Sequence, residues 1–521
     1  MALRPPLNTM LVACAAALTN VAFGYDVGVI SGSLEDMAAA LHLSTIQQEM
    51  ATSGLNFVSG LGALLLSGNF NDRLGRKNTL FIASLLLFAG SIVTTCATAF
   101  PVLLVGRALQ GLGSGCGWCA CTVYITEVAP REWRGMLVSI SDIGINVGIL
   151  LGFSIDRAVN LGLSAGGPDV RWRVAMGLSA LIPLLYCFCC HALLPESPRW
   201  LLMVGRESEA VSALSKIGSV DEAQARWQLS EMRRAPKVEE VSWYTALFPT
   251  SSRARGLVVT AMVLGLGQQL TGTEAILYYS PRILNQCPTS TDGAVIATAA
   301  PAGDCTTADT MFLVNLGVGT CKLLGELVAA ALVERTGRRS AMTVSNFIVS
   351  LLVASIALKF HLDWPTPVGA LSLSLTMLVF SLGPGPLTFV VINEMLPLNL
   401  RGKVVSLALL CNRFGSGTIA LTFLSLKEAI GVVAAFSLYA ALGLGVTVFY
   451  HMRVPENSGR SLEDNEYARD GPASDQVGGP ANVDISGCGG VRTCVPGRSL
   501  QRSWQSLNEE PAVSPMVGAT S

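Results

Sequence analysis

The sequence predicts an all-α membrane protein of twelve transmembrane helices in two pseudo-symmetric six-helix bundles, and three observations predict it. Hydrophobic residues make up 51% of 521 and charged residues only 14%, with a mean hydropathy of +0.51, whereas soluble domains carry about 25% charged residues. Twelve stretches approach the apolar length of a membrane-crossing helix, roughly 20 residues. Three motifs also recur in one order at nearly one spacing. Glu127-x-x-Pro130-x-x-x-Arg134-Gly135 returns as Glu394, Pro397, Arg401 and Gly402, an offset of 267; Asp72-Arg73-x-Gly75-Arg76-Lys77 returns as Glu334-Arg335-x-Gly337-Arg338-Arg339, offset 262; and Pro195-Glu196-Ser197 returns as Pro455-Glu456-Asn457, offset 260.

The first six spans lie near 8–30, 50–70, 79–99, 102–125, 136–156 and 173–194. The first continues through Tyr25 and Asp26 to Ile30 without a small-residue cleavage site, so it reads as a span and not a removed leader. The fourth carries Gly111, Gly113, Gly115 and Gly117, small residues that let helices approach closely in lipid. In the connector, Glu207, Glu209 and Lys216 alternate with Val211, Leu214 and Ile217, as in short amphipathic helices. The second six spans lie near 256–280, 309–333, 341–361, 367–392, 403–425 and 430–452. The tenth contains Gly383-Pro384-Gly385-Pro386, where two missing N–H donors predict a bend and a candidate gate hinge. The expected organisation is therefore an N-terminal bundle over 1–195, a cytoplasmic connector over 196–255, a C-terminal bundle over 256–456 and a disordered tail over 457–521.

Net charge is −1, but its distribution is informative. Cationic residues crowd alternate loops: Arg73, Arg76 and Lys77; Arg131 and Arg134; the connector; Arg335, Arg338 and Arg339; Arg401 and Lys403. None falls between 31 and 49, and only Arg282 between 281 and 308. The positive-inside rule then puts both termini in the cytoplasm, with the plasma membrane as the expected location. The repeated acids and bases, Asp72, Arg76, Glu127, Arg134 and Glu196 with Glu334, Arg338, Glu394, Arg401 and Glu456, either only fix this orientation or form a cytoplasmic latch between the bundles. The fourteen cysteines fall mostly inside spans with no metal-ligand spacing. Cys287 and Cys305 share a predicted external loop, where a disulfide is expected. No Asn-x-Ser/Thr sequon occurs. No nucleophile or metal constellation points to an enzyme, and neither a cofactor nor a nucleic-acid partner is expected. Duplication within so apolar a chain is instead the mark of carriers that rock one half against the other.

Several strings sharpen this. They are Gly24-Tyr25-Asp26-Val27-Gly28-Val29-Ile30-Ser31-Gly32, the segment Arg107 to Gly115, Pro195-Glu196-Ser197-Pro198-Arg199-Trp200, Gln268-Gln269-Leu270-Thr271-Gly272, Tyr278-Tyr279-Ser280-Pro281 and Gly383-Pro384-Gly385-Pro386. In these the chain resembles the sugar porter branch of the major facilitator superfamily, over residues 23–463. Facilitative glucose carriers of that family have Gln where this chain has Asp142, and Asn where it has Glu274 and Lys322. Plant-type polyol transporters are more similar: an acid in span five before Ile145 to Gly152, Gly-x-Glu-Ala before Tyr-Ser-Pro-Arg-Ile at Glu274 to Ile283, and Asn412-Arg413 leading to Phe423 to Leu426. The resemblance implies a proton-coupled polyol or inositol carrier.

Individual residues follow. A carboxylate at a helix centre in hydrocarbon costs about 2.5–3.5 kcal/mol even on lenient scales, so Asp26 needs a partner, and Arg107 in span four is the candidate. The resemblance implies that the two form the proton-coupling pair; the alternative is a permanent salt bridge that only fixes packing. A polyol site needs fixed donors and acceptors with an aromatic wall. The resemblance assigns substrate contacts to Phe23, Asp142, Gln268, Gln269, Glu274, Tyr278, Phe389 and Asn412, with Phe389 departing from the family's usual Trp. Glu274 and Lys322 are expected to neutralise one another, with Glu326, a turn from Lys322, as the alternative partner. The expected function is secondary active transport of a polyol or monosaccharide by a protein working as a monomer, with a proton as second partner. A facilitative hexose uniporter and a sugar-sensing transceptor are the other readings.

Overall fold

The structure is a computed structural model and describes residues 6–130, 133–163, 166–191, 194–234, 241–284, 308–332 and 337–455, all within one compact unit, Met1–Ala468. Every regular element among the described residues is helical. Glu334, Glu456, Cys287 and Cys305, with the expected disulfide, lie outside the described residues, as does the 457–521 tail.

Helices α1 (Leu7–Ala16) and α2 (Leu18–Leu41) form one path bent by 42°. Helix α3 (Thr45–Leu61) begins at a capping box, in which Ser44 Oγ accepts from Gln47 N–H and the Gln47 side chain accepts from Ser44 N–H. It continues through a π-helical stretch, Gly62–Ser67, into α4 (Gly68–Leu74). There follow α5 (Arg76–Thr95), α6 (Phe100–Val128) and α7 (Arg134–Gly162), then α8 (Gly167–Gly177) and α9 (Leu181–Leu185), which complete the sixth crossing. Four short helices make the connector: α10 (Pro198–Met203), α11 (Glu207–Gly218), α12 (Glu222–Arg234) and α13 (Trp243–Leu247). The second set is α14 (Ser252–Gln269), α15 (Thr273–Leu284), α16 (Ala308–Leu332), α17 (Arg338–His361), α18 (Thr366–Leu382), α19 (Pro384–Met395) and α20 (Leu398–Arg453). Gly431, at φ 82° and ψ 161°, divides α20 into two crossings, a backbone conformation nearly free only for glycine.

Among the described residues, seven helical stretches are long and apolar enough to cross a membrane, and the bent α1–α2 path makes an eighth. One of the seven, Asn399–Arg453, holds both crossings of α20. The remaining three crossings are α3, α6 and the α14–α15 pair. Helix α3, at 17 residues, and α15, at 12, are short as unbroken helices, and the three crossings also carry the polar Glu49, Arg107, Gln110, Gln268, Gln269 and Glu274. Lipid-compatible faces lie elsewhere, as at the exposed Leu324 and Leu327 of α16 and Phe347 and Leu351 of α17.

Two breaks shape the interior. Span ten ends α18 at Leu382 and restarts as α19 at Pro384, as the two prolines predict. Span seven, read from sequence as one helix over 256–280, is instead broken between α14 and α15, with Gly272 at φ 75°, where an added Cβ would clash with the Tyr439 ring. The interval from Gln269 to Glu274 therefore does not lie on one helix: the amides end α14 and the carboxylate starts α15.

Close packing explains the glycines of α6. An added Cβ at Gly115 would clash with the Ser59 carbonyl of α3. Gly115→Leu should lower stability by about 1–3 kcal/mol or more, read as a fall in the thermal unfolding midpoint of the purified protein; an unchanged midpoint would show that α3 and α6 are not in contact there.

Candidate functional site

Asp26 on α2 and Arg107 on α6 are each 1% exposed. The sequence suggests direct pairing; the structure instead interposes Gln110, three residues on from Arg107 and on the same face of α6. Gln110 Nε2 donates to Asp26 Oδ1 at 3.1 Å, and Arg107 Nη1 donates to Gln110 Oε1 at 3.1 Å. A carboxylate can only accept and a guanidinium only donate, so the charges on either side fix which way the amide points. Gln110 Nε2 also reaches Ser91 Oγ at 3.2 Å, and Ser179 Oγ donates to Ser91 Oγ at 2.7 Å. Arg107 Nε donates to the Ala51 carbonyl of α3 at 3.0 Å, while its Nη2 is buried without a partner among the described residues. The sequence reading missed Gln110 because a neutral amide does not stand out among apolar neighbours; its spacing from Arg107 was the available signal.

The expected solute residues gather around aromatic and amide groups from both parts of the chain. Phe389 on α19 meets Trp118 of α6 edge-on, with centroids 5.8 Å apart at 78°. The Arg413 guanidinium of α20 lies 5.2 Å from the Trp118 ring and 5.9 Å from the Phe23 ring of α2. Trp118 and Arg413 were not among the expected site residues. The indole that Phe389 lacks is thus present on another helix, beside Asp142. Gln268 Nε2 donates to the carbonyls of Pro384 and Gly385 at 2.9 and 2.8 Å, while its Oε1 accepts from Asn412 Nδ2 at 2.6 Å. Asn412 Oδ1 in turn accepts from Arg413 Nε and Nη2 at 3.0 and 2.7 Å. Gln268 and Asn412 therefore brace the start of α19 in this state. Gln269, 3% exposed, keeps a buried Oε1 without a partner among the described residues, an acceptor suited to a hydroxyl donor.

The expected pairing of Glu274 with Lys322 is not what the structure brings together. Lys322 interacts with Asp142 of α7 and with Glu326 on its own helix, and its ammonium sits 5.6 Å from the Phe380 ring centroid. Glu274 lies instead near Tyr278, a turn further along α15. Tyr278 Oη accepts from Asn56 Nδ2 of α3 at 2.9 Å, and Tyr279 Oη and Thr52 Oγ1 share a 2.6 Å bond.

Residues 12–468 match the family described as Sugar (and other) transporter. The chain belongs to this sugar transporter family. Over 470 residues it is 33% identical to probable polyol transporter 4 of Arabidopsis thaliana, covering 88% of this chain and 84% of that one. Over 459 residues it is 30% identical to the galactose-proton symporter of Escherichia coli (strain K12), covering 87% and 93% respectively. The inward open xylose transporter XylE from E. coli shares its fold, with a TM-score of 0.72 at 22% identity over 88% of this chain and 99% of that one. The sugar transporter described here is accordingly an all-α, multi-pass membrane protein of the major facilitator fold. It is a carrier and not an enzyme.

The two ends of the transporter are held by different chemistry. At the end bearing the repeated motifs, Arg76 Nη2 donates to Glu127 Oε1 at 2.8 Å, and Ser197 Oγ donates to Glu127 Oε2 at 2.5 Å. Glu196 Oε1 accepts from the backbone N–H groups of Arg76, Lys77 and Ser197 at 3.0, 3.1 and 2.8 Å, capping the start of α5. Burial pushes the Glu196 carboxyl above its usual range, and these N–H groups pull it back part of the way. Arg76 lies 3.5 Å from Asp72, and Arg338 pairs with Glu394 at 3.3 Å. Arg401 Nη2 donates to the Leu396 carbonyl at 3.0 Å, and Arg134 opens α7. The Arg76–Glu127 and Arg338–Glu394 pairs each join residues of the same half and not, as in the latch alternative, residues of opposite halves. Contacts across the halves lie at the other end: Glu49 accepts from Ser425 N–H and Oγ at 2.7 and 2.5 Å, Thr45 Oγ1 donates to Glu428 at 3.1 Å, and Arg282 donates to Gln48 at 2.6 Å.

Side chains in the Arg76–Glu127 pair are 7% and 10% exposed, against 14% and 20% for Arg338–Glu394. Removing one partner of a buried pair costs about 3–5 kcal/mol. Glu127→Gln should therefore approach that loss and Glu394→Gln should fall short of it, measured as unfolding midpoints in detergent; equal losses would contradict the difference in burial.

Proposed function

We propose that this transporter carries a polyol or monosaccharide together with a proton, by rocking residues 1–195 against 256–456 about the 196–255 connector. The observation that carries the reading is Asp26, a carboxylate 1% exposed in a crossing helix whose immediate partner is a neutral amide. A dipole cannot cancel a full charge, and the nearest guanidinium is one side chain further away. Adding a proton to Asp26 removes the charge and the reason for the Gln110–Arg107 alignment. That alignment ties α2 to α6, so protonation is communicated to helix packing.

The names of the relatives support the same direction, since one is a galactose-proton symporter and others are polyol transporters. A hydroxyl-rich solute suits the unpartnered Gln269 Oε1, the Trp118–Phe389 wall and the nearby Asp142. Glu274 and Tyr278 complete the site from α15. We take the motif end as cytoplasmic, with both termini there, because the cationic loops crowd it. The present state is then closed outside. In the outward-open state the motif end closes, and the latch formed by Glu127, Arg134, Glu394 and Arg401 acts across the halves there.

The test is uptake of mannitol, sorbitol, myo-inositol, xylose and glucose at two external pH values, in wild type and Asp26→Asn. Wild type should accumulate at least one solute faster at the lower pH. Asp26→Asn should exchange that solute across the membrane but lose both accumulation and the pH response. Uptake equally fast at both pH values and unchanged by the mutation would sink the proton-coupling reading.

A further inference from the structure

Where α7 packs against α16, each helix contributes two polar residues one turn apart: Asp142 and Asn146 on α7, Lys322 and Glu326 on α16. Lys322 attracts both carboxylates, which repel one another. The Trp118 indole lies beside Asp142 and the Asn146 amide beside Glu326, and neither carboxyl has an ion-pair partner within 4.0 Å among the described residues. Glu326 is 4% exposed and Asn146 3%.

With all three groups ionised, two negative charges face one positive charge at this seam, and of the three it is Glu326 that is cut off from water, Asp142 and Lys322 being part-buried. The surrounding elements do not correct the balance. Helix α18 has no charged residue in its sequence, α19 contributes only Glu394, engaged with Arg338, and α15 brings Glu274 together with Arg282. Arg282 is engaged with Gln48 and Glu35, and Arg413, though it lies on the face of Trp118, acts on Tyr278 and not on Asp142 or Glu326. A second, independent feature points the same way. Asn146 Oδ1 is buried and has no hydrogen-bond partner among the described residues. An amide beside a carboxylate has use only for its N–H; beside a carboxylic acid, its oxygen can accept the acid's O–H.

We propose that Glu326 is a second proton-binding carboxyl of the transporter, neutral in this state while Lys322 compensates Asp142, with the proton shared toward Asn146 Oδ1. Asp142 belongs to the first half of the chain and Lys322 to the second. Parting the seam withdraws Asp142 from Lys322, the ammonium then compensates Glu326, and the proton leaves to water as hydronium. What this proton does in the transport cycle rests on the symport reading above; whether it is bound does not.

The experiment is infrared spectroscopy of the purified full chain in lipid bilayers at neutral pH, without solute, following the carbonyl stretch that a carboxylic acid has and a carboxylate lacks. Glu326→Gln should remove one such band. Asp142→Asn should remove the same band without touching Glu326, because Lys322 is then free to compensate it. Lys322→Met should roughly double the acid signal, since both carboxylates lose their cation. These two variants keep the test alive if Glu326→Gln folds poorly. A band that survives both Glu326→Gln and Asp142→Asn overturns the proposal, as does an unchanged signal in Lys322→Met. Asp26→Asn should leave this band in place, so loss of coupling in that variant and loss of the band in the others are separate outcomes.

Discussion

A bilayer offers no water to solvate a charge, so an ionised group inside it must be answered by the protein itself. That constraint organises this chain. At its motif end, near water, full charges pair with full charges, as Arg76 does with Glu127 and Arg338 with Glu394. Deeper in, charges are separated by neutral groups: Gln110 stands between Asp26 and Arg107, and Asn146 and Trp118 attend the carboxylates around Lys322. The difference has a mechanical consequence. A direct ion pair in low dielectric is hard to break without stranding a charge, whereas an amide can serve a carboxylate through N–H or a carboxylic acid through C=O.

Duplication accounts for the rigid parts. The offsets that relate the motifs also relate their contacts, for Arg76 and Glu127 correspond to Arg338 and Glu394, and each pair stays inside its own half. Glu196 adds a cap on α5, Tyr124 Oη donates to the Pro195 carbonyl at 2.7 Å, and Trp200 Nε1 donates to the Asp72 carbonyl at 3.0 Å. Three motifs far apart in sequence thereby become one welded corner of the first half. A half that moves as a body needs such internal welds more than it needs a permanent bond to its partner.

Legibility in the sequence followed the same physics. Asp26, Arg107, Asp142 and Lys322 could be read because a charge inside an apolar run is conspicuous, and the α18–α19 break because proline removes a donor. Gln110, Trp118 and Asn146 could not, because a neutral polar or aromatic side chain has no single meaning in a membrane helix: its role depends on which helix it meets. The α14–α15 break was hidden for a related reason, since Gly272 looks like the many packing glycines of this chain until its φ of 75° is known. Pairing choices were likewise invisible. For Lys322 the sequence offers Glu274 and, a turn away, Glu326; the packing of α7 on α16 adds Asp142, which the sequence reading assigns to the solute, and leaves Glu274 elsewhere.

The unmatched residues carry what symmetry cannot. Asp26, Gln110 and Arg107 have no counterpart at the repeat offsets, and neither does the Lys322–Glu326 turn. Both groups sit where a crossing helix meets another, the first between α2 and α6 within one half and the second between α7 and α16 across the halves. The seal at the far end is built from hydrogen bonds of Glu49, Thr52 and Asn56 to Ser425, Tyr279 and Tyr278. Water can replace such bonds one at a time when the halves part, so opening that end does not strand a buried ion pair. Buried ion pairs hold each half together, whereas hydrogen bonds and the part-exposed pairs Arg282–Glu35 and Arg157–Asp309 join the halves; groups able to change protonation lie between these two regimes, where a single proton can alter which helices remain tied.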